Sequence, residues 1–121
     1  MASRMEQNLL SRNVGIVIFS RWHVERLQRM MNKMAAIDEG GKSLLDNSLV
    51  LFGSGMAQGN THSVLDIPIL LAGKAGGSMK TGRHLRKTEY TQHSNFLLTL
   101  LQQMGIERDQ FGMSTGTVDL S

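Results

Sequence analysis

Apolar residues along this chain follow two kinds of pattern, and each predicts a different element. Between about 48 and 53 runs Ser48-Leu49-Val50-Leu51-Phe52-Gly53, and between about 67 and 72 runs Ile67-Pro68-Ile69-Leu70-Leu71-Ala72. Neither run alternates with polar residues. Unbroken apolar strands are typical of burial on both faces, as in a parallel sheet covered on each side. Pro68 is tolerable near the start of such a strand. The turn Gly53-Ser54-Gly55 then falls at the carboxyl end of the first strand, where α/β folds place their chemistry. A weaker strand is predicted at 14–19, where Gly15 interrupts otherwise β-prone residues.

The second pattern is helical. From Ser20, a reasonable N-cap, Val24, Leu27, Met31 and Met34 recur at i, i+3, i+7 and i+10, flanked by Met30 and Ile37. Gly40-Gly41 supply the residues that end such a helix. Thr91 is the expected cap of a second amphipathic helix, with Phe96, Leu97, Leu100, Leu101 and Met104 as its stripe and Gly105 as its stop. Gly73, Gly76, Gly77 and Gly82 mark a loop or a small edge hairpin. Phe111 is expected to pack back on the last helix, with 114–121 a loose tail and 1–13 polar and unpatterned.

The order helix, strand, strand, helix predicts part of a layered α/β sandwich. Its strands at 48–53 and 67–72 should be parallel neighbours or near neighbours, under helices near 21–38 and 92–104. Two doubly buried strands need layers on both faces, which this chain can hardly supply. The pattern therefore points to a fragment or to an obligate partner surface, and to a marginal monomer that self-associates or needs a partner.

Composition narrows the class. A length of 121 residues suits one domain or a piece of a larger one. Nine methionines against 5% aromatics imply a deformable, Met-rich core. The net charge of +3 suits a solvated basic face, and no nucleic-acid partner is expected. The absence of cysteine excludes disulfides, Cys-ligated zinc, iron–sulfur clusters and a thiol nucleophile. No apolar run nears the roughly 20 residues that span a bilayer, so no membrane partner is expected. The 14–19 run is too short for a signal-peptide core, and no Ala-x-Ala-like site follows it. The chain reads as cytoplasmic, or as lacking its original N-terminus.

Candidate chemistry is sparse. The segment from Gly73 to Thr81 invites a phosphate-loop reading, but Met79 stands where the motif needs Gly before Lys80, and no convincing helix opens after it. His62 and Asp66 are four apart in a loop near the strand end and form the only ligand-like pair there. His23 beside Trp22 is explained by packing and capping. His93 falls in the first turn of a helix, a poor place for a cation. Lys80, Arg83, His84, Arg86 and Lys87 form a cationic cluster that reads as a solvated edge, or as a face for an anionic ligand or an interaction partner. Spacing alone defends no Ser/His/Asp set and no paired carboxylates, and it specifies no cofactor.

Several segments together resemble the C-terminal part of the HXXSHH family, large exported bacterial proteins with a domain of unknown function. They are Arg21-Trp22-His23-Val24-Glu25, the stretch from Leu44 to Gly55, Gly59-Asn60-Thr61-His62-Ser63, the stretch from Asp66 to Gly73, Lys80-Thr81-Gly82-Arg83-His84, His93-Ser94-Asn95-Phe96-Leu97-Leu98 and the stretch from Phe111 to Gly116. The resemblance covers residues 21–118 in order, leaves 1–20 unmatched and 119–121 as a tail, and lacks the name-giving motif, which belongs upstream. That family is in turn distantly similar to the alkaline phosphatase and sulfatase superfamily.

The resemblance implies a partial alkaline-phosphatase-like α/β sandwich with a mostly parallel sheet. It implies a non-catalytic C-terminal portion of an exported protein, whose partner is its own missing N-terminal half or a second copy. The alternative is part of a metal-dependent phosphate or sulfate ester hydrolase. Where the superfamily carries an Asp-His metal pair, this chain has Ser54-Gly55 or Gly55-Met56, and the nucleophile-bearing half has no counterpart here. The ligand-binding residues implied are Ser54, Asn60, His62, Arg83 and His84. His62 is the one residue that can match a later metal or substrate histidine of the superfamily, and with Asp66, its partner by spacing, it forms the candidate metal pair.

Overall fold

The computed structural model describes residues 3–57, 61–87 and 89–120, with the backbone alone at 5–6 and 8–18. Helix α1 (Arg4–Ala35) is 32 residues long. It contains no proline and a single glycine, Gly15, and Arg21 Nε donates to Glu25 Oε1 one turn on at 2.9 Å. The strand expected at 14–19 is helix, and Ser20 lies inside that helix instead of capping it. A six-residue strand has to find a neighbour for its N–H and C=O groups, whereas a helix satisfies them within the segment.

α1 stops short of the double glycine. Ala36 and Ile37 bond back to the last turn, and Asp38 then pairs with Ser43 in an isolated antiparallel bridge. Gly40 (φ 73°) and Gly41 (φ 93°) make the tight turn between them, and the Gly41 N–H donates to Asp38 Oδ1 at 3.0 Å. These glycines shape a turn, not the helix end.

Ser43 starts the one-turn helix α2 (Leu44–Asn47) with a reciprocal capping box. Its Oγ accepts from the Asp46 N–H at 3.1 Å, while the Ser43 N–H donates to Asp46 Oδ2 at 3.2 Å. Strands β1 (Val50–Gly53) and β2 (Ile69–Ala72) follow, and α3 (His93–Gln103) comes last. α1 packs on α2, and α2 on a 3-10 turn over Ala75–Gly77.

The sheet corrects the expected architecture. β1 and β2 form a two-stranded antiparallel ribbon, with Val50 opposite Ala72 and Gly53 opposite Ile69. The mostly parallel, alkaline-phosphatase-like sandwich is not the fold. Parallel neighbours need a crossover of a dozen or more residues, usually a helix. The link at 54–68 has Gly, Ser and Asn without a helical apolar period, and its described part is turn and bend. The chain comes back on itself instead of crossing over. Burial differs accordingly: Leu51, opposite Leu71, is 44% exposed on one face of the ribbon, and Leu70, opposite Phe52, is 48% exposed on the other, so neither face is fully covered.

Among the described residues only Leu27, Leu98 and Leu100 are buried large apolar side chains. Leu98, outside the expected stripe, is the most buried at 1% exposure, whereas Met104 inside that stripe is 51% exposed. Gln92, not Thr91, occupies the α3 cap, without a side-chain bond. The C-terminal segment is tied to α3 and is not loose. Asn95 Oδ1 accepts from the Thr115 N–H at 2.8 Å, and one turn later Thr99 Oγ1 accepts from the Val118 N–H at 2.8 Å. Phe111, expected to pack on this helix, is 44% exposed, and the neighbouring Ser114 is buried instead.

Candidate functional site

The sequence-derived site residues fall in two places. Ser54 follows β1, is exposed, and accepts the Met56 N–H on its Oγ at 3.2 Å. His62 and Asp66 sit further along the same β1–β2 link, exposed, with φ of 53° and 58°. His and Asp are among the non-glycine residues that enter this left-handed region most readily, so both serve as turn residues here. No group of three His, Cys, Asp or Glu side chains arranged to hold a metal occurs among the described residues. Asn60 lies outside the described residues.

Arg83 and His84 lie on the exposed segment that follows the 3-10 turn, and the Arg83 guanidinium donates to the Lys80 carbonyl at 3.0 Å. Arg83 and Lys80 face a cleft of about 300 Å3 between this segment, α3 and the C-terminal residues 117–120. Ser54, His62, Asp66 and His84 do not line it. Of the implied ligand residues that are described, Arg83 alone lines this cleft.

Residues that sequence reasoning passed over hold this cleft together. Thr99 forms its floor, only 5% exposed and bonded to the Val118 backbone. Ser78 Oγ donates to the Gln103 carbonyl at 3.3 Å, and Lys87 Nζ donates to the Asp119 carbonyl at 2.7 Å. The signal was present as polar Asn95, Thr99 and Gln102 at i, i+4 and i+7 beside the apolar stripe of α3. Such a stripe reads as solvated until something is seen lying on it.

The strongest electrostatic feature is elsewhere. Asp46 Oδ1 receives Lys74 Nζ at 2.8 Å, and its Oδ2 receives the Ser43 hydroxyl at 2.9 Å. The bond from Lys74, helped by the Ser43 hydroxyl and N–H, holds the Asp46 carboxyl at about 2 against an ordinary 3.8. Asp46 thus serves a structural latch between α2 and the turn after β2, not the strand end. A depressed carboxyl pKa stabilises the fold above the unfolded value, and that contribution is lost as pH falls through the folded one. Stability of the parent should therefore drop between 3.8 and about 2. Thermal unfolding of Asp46→Asn across that window should show a flatter pH dependence, and parallel curves would sink the assignment.

No protein-family model, curated protein or solved structure matches this chain. Among the described residues, no helix is long and apolar enough to cross a membrane.

Proposed function

We propose that residues 21–118 act as a non-catalytic C-terminal portion of an exported HXXSHH-type protein, docking through apolar faces onto that protein's N-terminal half. The observation that carries this reading is the incomplete cover on both faces of the β1–β2 ribbon. A two-stranded ribbon is marginal by itself, and here Leu51 on one face and Leu70 on the other are 44% and 48% exposed. Neither strand contains a charge or a proline to guard its unpaired edge. A second apolar surface lies on α1, where Phe19 and Trp22 are 66% and 52% exposed. The ordered segments from Arg21 to Gly116 that resemble the family support the same assignment.

Sedimentation of the chain mixed with the N-terminal half of an HXXSHH-type protein should show a one-to-one complex. Binding of a hydrophobic dye to the chain alone should fall on mixing, and Leu51→Asp with Leu70→Asp should abolish the complex. A strictly monomeric chain that binds no dye and ignores the added half contradicts the proposal. Concentration-dependent dimers lost in the same double variant would instead assign these faces to a second copy. Turnover of an aryl phosphate or sulfate that survives repurification and vanishes in His62→Ala would overturn the non-catalytic reading.

A further inference from the structure

The cleft beside α3 has a chemistry of its own, independent of the docking face. Its lining includes two cations, Lys80 and Arg83, against one carboxylate, Asp119, so the net charge of these groups is positive. Lys80 makes no side-chain hydrogen bond or ion pair among the described residues, and the Arg83 guanidinium spends one donor on the Lys80 carbonyl. The rest of that planar fork is free to take a carboxylate in a bidentate grip, geometry that a point-charge ammonium cannot offer. The Thr117 hydroxyl and the Gln103 side-chain amide also line the cleft and make no hydrogen bond to described residues. Thr99 and Ser78, by contrast, are committed to holding the walls.

Cations at one point with uncommitted hydroxyl and amide groups beside them suit a ligand with a single acid group and several hydroxyls. A volume of about 300 Å3 is at the small end of ligand sites. We propose that this cleft binds a small polyhydroxylated carboxylic acid, a sugar acid, with its carboxylate on Arg83 and Lys80 and its hydroxyls on Thr117 and Gln103. The basic residues Arg86 and Lys87 beyond the cleft steer the anion toward it, which makes binding weaken as salt rises. A site this open, with screened charges, should bind weakly, with a Kd on the order of 1 mM.

Amide chemical shifts of the whole chain, followed during separate additions of D-gluconate, D-glucose and inorganic phosphate, test this. D-gluconate should give saturable shifts at residues 78–83, 99 and 117–119, glucose none, and phosphate at least five-fold weaker binding. Lys80→Gln with Arg83→Gln should weaken gluconate at least ten-fold while the spectrum elsewhere stays unchanged. The site is overturned if gluconate does not saturate, if it binds no better than phosphate, or if the double variant binds it as well as the parent.

Discussion

Gly73→Ala should destabilise this protein by about 3 kcal/mol or more, well beyond what its backbone angle alone explains. Gly73 is buried directly after β2, with φ of 97°. A Cβ there meets the Ser48 carbonyl oxygen at 2.2 Å and the Leu45 carbonyl oxygen at 2.9 Å. Both obstacles are backbone, and both are tethered. The Ser48 oxygen accepts the Ala75 N–H at 3.0 Å, and the Leu45 oxygen accepts the Ser48 N–H at 3.2 Å. Relief requires β2 to move off the end of α2, and that would also pull Lys74 from Asp46. Gly40→Ala is the comparison, since its φ is 73° and nothing lies within 4 Å of the added carbon. It should cost only the left-handed backbone, about 1 kcal/mol. Urea midpoints of the two variants decide the matter, and equal losses would show that the close approach carries no weight.

Leu98→Ala should cost about 3 kcal/mol and lower Tm by about 10 °C. Leu98 is 1% exposed and the only fully buried large side chain among the described residues. Removing it deletes the transfer energy of three carbons and leaves a cavity between α3 and the segments tied to it. With total stabilities of domains this size near 5–15 kcal/mol, such a loss is a large fraction. Met104→Ala, at the 51% exposed C-cap of the same helix, should cost under about 1 kcal/mol. If calorimetry gave the two variants similar Tm values, α3 would not hold the core.

Local signals were legible where an element satisfies itself. The helical period from Val24 to Met34 lies within α1, and α3 runs from His93 to Gln103 against an expected 92–104. Both strands fall inside their expected runs, each shortened to four residues. The Ser43–Asp46 box, too, is a local motif, with Ser and Asp three apart. Ser54, His62 and Asp66 are indeed loop residues after β1, as their glycine- and asparagine-rich surroundings implied.

What failed was every statement about pairing between distant segments. An apolar strand does not record whether its second face is covered or open, so Leu51 and Leu70 read as buried and are half exposed. Strand direction depended on the link at 54–68, whose lack of helical period was the available clue to a returning chain. Leu98 and Thr99 could not be ranked above Leu97 or Leu101, because α3 is covered by a C-terminal segment that itself carries little pattern. Its attachment rests on Asn95 and Thr99 side chains bonding backbone groups of Thr115 and Val118. Arg83 gained a cleft only because that segment lies opposite it.

The sequence by itself determined the places of α3, β1 and β2 and the course of α1 beyond Ser20, because those follow from spacing, caps and glycine positions along a few consecutive residues. Tertiary structure alone decided the antiparallel ribbon, the burial of Leu98 and the cleft at Lys80 and Arg83. Each of these depends on which remote backbone supplies hydrogen bonds or covers a face, and no local pattern carries that information.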